Sequence, residues 1–385
     1  MAKIRLLIIL LFLSTILGCS VFSGSPAMSV SVSSDGHYVV SVHQGTNLYL
    51  WDIGAQRKTL VSREANLYSA FFIPGSDAFM WQNLNKEVIV QTVEGKELKR
   101  FTLDYGVYGH VMNLEQDVYV SADAEYIVRT IIQGVETQLK TAGGSFMGLG
   151  KVFNLSLSRD ANLLATAGFG SPHDKTSWPM EQQKPLGYPD FSGVVLWSLE
   201  SLEPLAKLPG NSSKTHANIS PDGQWVVSGD EVGSSRYWNT RKPEQMFLTA
   251  SYYHGLHLEC DEEYSYNCPS DKSGLIPMLG MRVYENTVAM GFIQNSRYYL
   301  RLSHVSPSDD SSYAALFETG SPWPVKYFDL GTRPWPSTQE YHRNLTISTA
   351  PEAGILVTGQ HSRGGINVYQ FDAEKLTLEK VWVGR

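Results

Sequence analysis

SVSVSSDGHYVVSV (Ser29–Val42), continued by NLYLWDI (Asn47–Ile53), reads as three successive strands. An alternating apolar strand runs into a tight Ser-Asp-Gly turn, a second alternating strand follows, and a third ends in an aromatic plus a small polar residue. Worn copies of the phrase run to the C-terminus. They include YSAFFIPGSDAFMWQ (Tyr68–Gln82) with EVIVQTV and ELKRFTL, VYVSADAEYIVRTI (Val118–Ile131), and NLSLSRDANLLATA (Asn154–Ala167) with VVLWSLE (Val194–Glu200). HANISPDGQWVVSG (His216–Gly229) with SRYWNT, HVSPSDDSSYAAL (His304–Leu316) with VKYFDLG, and ISTAPEAGILVTG (Ile347–Gly359) with NVYQFDA complete the set. The polar turns fall at Asp35, Asp77, Asp123, Asp160, Asp222, Asp309 and Glu352. The first four are spaced at about 37–46 residues, the size of a four-stranded propeller blade.

The Ser-x-Asp-Gly turn and the aromatic-polar endings Trp51-Asp52, Trp197-Ser198, Trp238-Asn239, Phe328-Asp329 and Phe371-Asp372 resemble the WD-repeat family of β-propellers. The resemblance covers nearly all of Met28–Arg385, and the first, fourth and fifth copies are the nearest to the family pattern. It implies an all-β fold, a single propeller of seven four-stranded blades, with eight as the alternative. The Gly-His dipeptide that opens many family repeats, and on which the family's Asp-His-Ser-Trp network depends, is missing at the expected places. Each aromatic-Asp pair has a packing role: the ring fills the layer between blades, and the Asp-Gly turns supply the φ > 0 residue that reverses two strands.

Charged residues are 18% of the 385, aromatics 11%, and Gly numbers 33, a profile of a turn-rich β protein rather than a disordered chain or coiled coil. The net charge of −7 comes from 31 basic and 38 acidic residues with no basic run, which argues against nucleic acid as a partner.

MAKIRLLIILLFLSTILGCS has a basic start (Lys3, Arg5), an apolar core too short to span a bilayer comfortably, and small residues before Cys19. Residues 1–18 read as a secretory signal. Ile16-Leu17-Gly18-Cys19 resembles the bacterial lipobox, which implies acylation of Cys19 and a lipid-anchored chain. Ser20, where the sorting pattern would often place Asp for inner-membrane retention, implies the outer membrane, with the body in the periplasm. Residues 19–27 are then a flexible tether and 28–385 the propeller. Cys260 and Cys268 are expected to form a local disulfide in an oxidising compartment. A zinc site using the nearby His254 and His257 matches no common zinc module.

Three departures interrupt the rhythm: residues 170–193, 251–277 and 320–338. The first is expected between the second and third strands of the fourth blade, and the second between the fifth and sixth blades. Met278–Gln294 is expected to be a poorly formed sixth blade. Loops between second and third strands, and loops between blades, leave the same rim of a propeller. All three departures, including the loop of Trp323, are therefore expected on one face. Trp178, Tyr188, Phe191, Trp323 and Trp335 are candidate partner-binding anchors. The alternative for the first three is that they fold over the disc and plug its channel.

No P-loop, dinucleotide fingerprint or metal-ligand pair at helical spacing is present, so no catalytic residue, metal or cofactor is assigned. GGSFMG (Gly143–Gly148) lacks the second Gly of a nucleophile elbow. The expectation is a non-enzymatic, membrane-anchored scaffold: a monomeric subunit docking proteins of the bacterial cell envelope in a secretion or envelope-assembly complex. The alternatives are a periplasmic hydrolase or lyase working in the channel, and a propeller that binds glycans or small molecules.

Overall fold

The computed structural model describes residues 25–123, 127–139, 152–170, 193–208, 213–230, 235–248, 285–305, 311–321, 323–332, 347–360 and 364–385. They form seven four-stranded antiparallel blades arranged as a β-propeller. The blades use contiguous stretches of chain. Blade one is β1 (Ala27–Val32), β2 (Tyr38–His43), β3 (Leu48–Asp52) and β4 (Arg57–Ser62); blade two is β5 (Phe71–Phe72), β6 (Ala78–Gln82), β7 (Glu87–Thr92) and β8 (Glu97–Thr102). Blade three is β9 (Val107–Asn113), β10 (Val118–Asp123), β11 (Val128–Ile132) and β12 (Val135–Gln138). Blade four follows with β13 (Val152–Leu157), β14 (Leu163–Gly170), β15 (Val194–Ser198) and β16 (Pro204–Leu208). Blade five has β17 (Ser213–Ile219), β18 (Trp225–Asp230), β19 (Ser235–Asn239) and β20 (Lys242–Leu248); blade six has β21 (Glu285–Ile293), β22 (Tyr298–Val305), β23 (Ser311–Glu318) and β24 (Pro324–Thr332). Blade seven is β25 (Ile347–Ala350), β26 (Ile355–Gly359), β27 (Ile366–Asp372) and β28 (Thr377–Gly384).

Burial follows position in the blade. All residues of the second strands β6, β10 and β26 are buried, because both faces of a blade are covered by neighbours. The outer strands β4 and β8 are largely exposed. Among the described residues the core divides into seven clusters, each drawn from two adjoining blades. Trp51, Trp197 and Trp238, the third-strand aromatics of blades one, four and five, are 0% exposed and pack towards the preceding blade. Among the described residues no strand is exchanged between blades one and seven. Blade seven closes on blade one by side-chain packing: Trp51 meets Trp382 edge-on at 6.0 Å, and Gly384 lies so near the Trp51 ring that an added Cβ would sit 2.8 Å from it. Blades four and five are further joined by main-chain pairing of Phe169 and Gly170 with Lys214 and Ser213.

Four sequence expectations change. In blade three the first-to-second turn lies at Asp117, since Asp123 ends β10 and belongs to the second-to-third turn. Blade six slips the same way: His304 ends in β22 rather than opening a blade, and the segment read as a separate poor blade, Met278–Gln294, supplies its inner strand β21. These merge into one blade, which removes the eight-blade alternative. Its third-strand aromatic ending is Phe317-Glu318, while Phe328-Asp329 lies on the outer strand β24. Residues 320–338, expected to be an inserted loop, therefore contain a strand. Finally, the tether expected to reach Ala27 is docked from Ser25 onwards, with Ser25 O taking the His43 ring N–H at 2.9 Å and Pro26 O taking the Gln44 N–H at 2.8 Å.

Candidate functional site

The propeller has two unlike rims. First-to-second and third-to-fourth turns lie on one, here the turn rim; second-to-third turns and the connections between blades lie on the other, the connection rim. The turn rim is built by one device used three times. Ser33, Ser158 and Ser220 each donate an Oγ–H to Asp35, Asp160 or Asp222 at 2.5–2.6 Å. The same hydroxyls accept the N–H of Tyr38, Leu163 and Trp225 at 2.9 Å. The left-handed position is Gly36 (φ 74), Ala161 (φ 51) and Gly223 (φ 69). For Asp35 and Asp160 partial burial would raise the pKa, but the serine hydroxyl and the main-chain N–H outweigh it and hold both carboxyls below the usual range. The polar residues after the aromatics cap the third-to-fourth turns. Asp52 accepts from Ala55 N at 2.8 Å, Asn239 from Arg241 N at 2.9 Å, and Asp372 from Glu374 N and Lys375 N at 3.0 Å. These side chains are turn locks.

At the axis the inner strands β1, β5, β9, β13, β17, β21 and β25 surround a cavity of about 310 Å³. Much of its polar lining links neighbouring blades. Ser348 Oγ accepts Val32 N at 3.1 Å, Ser31 Oγ accepts Phe72 N at 3.0 Å, Asn154 Oδ1 accepts Ala217 N at 2.8 Å, and Ser156 Oγ accepts Ile219 N at 2.9 Å. The Asn218 amide donates to the Met290 carbonyl. At the turn rim Arg159 of blade four pairs with Glu352 of blade seven, which is not its neighbour in the ring. The guanidinium thus spans the mouth, and it also lies about 4 Å from where a Gly75 Cβ would stand.

Two histidines are locked into inter-strand networks. Trp51 Nε1–H donates to Ser41 Oγ at 2.7 Å, and Ser41 lies 2.8 Å from His43 Nε2. Because the Ser25 carbonyl can only accept, His43 carries its proton on Nδ1 and takes the Ser41 hydroxyl proton on Nε2. His110 is the mirror case: Nε2–H donates to Ser69 O at 2.6 Å, and Nδ1 accepts from Tyr119 O–H at 3.0 Å. Burial pushes both rings down to about 4, and for His43 the nearby Lys58 adds to the effect. With both nitrogens occupied and the ring neutral, His110 packs and is not poised to move protons. The Trp-Ser-His chain in blade one resembles the family network, but its histidine comes from the second strand. Trp197 Nε1 instead donates to Thr166 Oγ1 at 3.0 Å.

Of the sequence-predicted site residues, Trp323 is described. It lies in the third-to-fourth connection of blade six, half-buried, with its N–H donating to Ser321 Oγ at 3.2 Å. That places it on the turn rim, which corrects the expectation of a shared face with the two long departures. Cys19, Trp178, Tyr188, Phe191, Cys260, Cys268 and Trp335 lie outside the described residues. The strand ends that flank the two longer departures do share a rim: Gly170 and Val194, and Leu248 and Glu285, all stand on the connection rim. Among the described residues no group of His, Cys, Asp or Glu is arranged to hold a metal, and no helix is long and apolar enough to cross a membrane. The inter-blade latches and the Arg159–Glu352 pair escaped sequence reasoning. A signal was available: Ser31–Phe72, Ser34–Gly75 and Ser69–His110 are all 41 residues apart, one repeat period.

No family model and no curated protein sequence matches the chain. Among solved structures, the Cps50 (Swd1) β-propeller domain of Myceliophteria thermophila superposes with a TM-score of 0.56 at 12% identity, over 91% of this chain and 97% of that one. Hsv2 of Kluyvelomyces marxianus gives 0.52 at 10% identity, over 94% and 98%. At such identities the likeness is one of fold, and the fold is that of WD-repeat-type β-propellers.

Proposed function

We propose that the chain is a non-enzymatic scaffold, anchored by lipid at Cys19 to the outer membrane. In this reading its body faces the periplasm, and it binds partner proteins of a bacterial secretion or envelope-assembly complex. The observation that carries the reading is the asymmetry of the rims. The turn rim is tied off by short, self-satisfied turns, whereas the strand ends around the longest intervening sequences collect on the connection rim. Those sequences carry Trp178, Tyr188, Phe191 and Trp335, aromatic anchors suited to a protein interface, and the Cys260–Cys268 disulfide would brace one of them. Trp323, on the other rim, drops out of this group.

The N-terminus supports the same orientation. Ser25 is docked at the connection rim, and the chain from Cys19 to Ser25 reaches at most about 20 Å when extended. A lipid on Cys19 would hold that rim close to the bilayer, so the favoured partners are proteins embedded in or lying against the membrane.

Site-specific photo-crosslinking in intact cells tests this. A crosslinker at Leu84, exposed on the connection rim, should capture a discrete partner, and one at Gly95, on the turn rim with open space around it, should not. Capture from Gly95 alone, or from neither position, would refute the scaffold reading. Replacing Cys19 by Ser should release the chain from membranes; continued membrane attachment would refute the anchor.

A further inference from the structure

We propose that the central channel is a binding site for a neutral, polyhydroxylated small molecule of monosaccharide size. This goes beyond the scaffold reading and does not depend on it. The cavity of about 310 Å³ is at the lower end of the range for small-molecule sites, and its wall mixes apolar and hydrogen-bonding side chains. Blades two and three present the half-buried Phe71 ring and Val111, an apolar surface for the C–H face of a sugar ring. Blades four, five and seven add amides and hydroxyls between apolar side chains such as Leu155, Leu157 and Ile347.

Those polar groups retain capacity after linking the blades. Among the described residues Asn154 uses only its oxygen, on Ala217 N, and keeps two amide protons; Asn218 uses only its amide N–H, on Met290 O, and keeps its carbonyl oxygen. Ser156 and Ser348 each accept one main-chain N–H and keep a hydroxyl proton. Thr349 lines the cavity with no side-chain hydrogen bond among the described residues. Donors and acceptors held by a rigid ring suit vicinal hydroxyls. Among the described residues the only formal charges in the lining are at the turn-rim mouth, where Arg159 and Glu352 neutralise each other, so a charged ligand would meet no counter-ion from them within. The lining reaches the turn rim at Ser34, Gly75 and Pro221, so the ligand would lie beneath the Arg159–Glu352 pair.

The test uses the full chain, titrated calorimetrically and by saturation-transfer NMR. The probes are glucose, galactose and N-acetylglucosamine, set against glucuronate and glucose 6-phosphate. Gly109→Leu fills the cavity: a Cβ there meets nothing within 4 Å and the backbone is not left-handed. The expected result is binding of at least one neutral sugar, weakened tenfold or more by Gly109→Leu and severalfold by the near-isosteric Thr349→Val, with unchanged melting of the unliganded variants. Should Gly109→Leu fail to fold, Thr349→Val decides. No binding by any neutral sugar, binding that survives both substitutions, or preference for the charged compounds would overturn the proposal.

Discussion

Acid should loosen this propeller well above the range in which its carboxylates titrate, and the two locked histidines set the size of the effect. His43 and His110 hold their neutral form down to about pH 4, against about 6.5 in an unfolded chain. Above pH 6.5 both states are neutral and stability is unaffected. Below it the unfolded chain takes up protons that the folded one refuses, so stability falls as the pH drops towards 4 and the loss levels off there. A shift of this size costs about 2 kcal/mol per histidine at pH 5, and about 3 kcal/mol at the limit. Urea unfolding at pH 7 and pH 5 should therefore show a loss of about 4 kcal/mol from the pair. His110→Gln lowers stability at pH 7 but removes one titrating group, so its loss between the two pH values should shrink by about 2 kcal/mol. Equal losses in the wild type and the variant would refute the assignment of His110 as a buried, neutral hub.

The remaining predictions concern packing. Gly36→Ala should cost about 2 kcal/mol or more, since φ is +74° and a Cβ would lie 2.6 Å from the Ala353 Cβ; Gly95→Ala, at φ +87° in open space, should cost only about 1 kcal/mol. Thermal melts of both variants compare strain with and without a clash. Gly384→Ala should destabilise by about 1–3 kcal/mol through its collision with the Trp51 ring, and Trp51→Phe should lose about 2 kcal/mol with the Ser41 hydrogen bond. If denaturant midpoints do not move in either variant, the blade-one to blade-seven seam is not as described. Arg159→Gln breaks an ion pair whose partners are 58% and 44% exposed, and should change stability by less than about 1 kcal/mol, read from the same melts.

The sequence was most legible where a turn needs particular residues. Ser-x-Asp followed by Gly or Ala, at Ser33, Ser158 and Ser220, combines a hydroxyl, a carboxylate and a left-handed residue in one short span, so blades one, four and five are legible in the sequence. Blades three and six slipped by one strand because a second-to-third hairpin also alternates around a polar turn, as Val118–Asp123 and Val128–Ile132 do. Alternation reports that two strands are paired and is silent on which two. The spacing held the answer: first-to-second turns at Asp35, Asp77, Asp117 and Asp160 are about 40–43 residues apart, a tighter rhythm than the one Asp123 gives. The cavity lining was illegible for another reason. Ser156 or Asn154 on an inner strand looks like any polar residue of an alternating pattern until the next blade brings its N–H within reach.

Because no strand among the described residues is shared between blades one and seven, synthesis order becomes a hazard. The flank of blade one around Trp51 leaves the ribosome before the other blades, yet Trp382 and Gly384, which cover it, follow only after all of them. Until the final strand arrives, a large apolar face waits bare while six other blades accumulate beside it. A chain cut just before Trp382 would leave that face bare, so the end of β28 acts as the clasp that ends its exposure to aggregation.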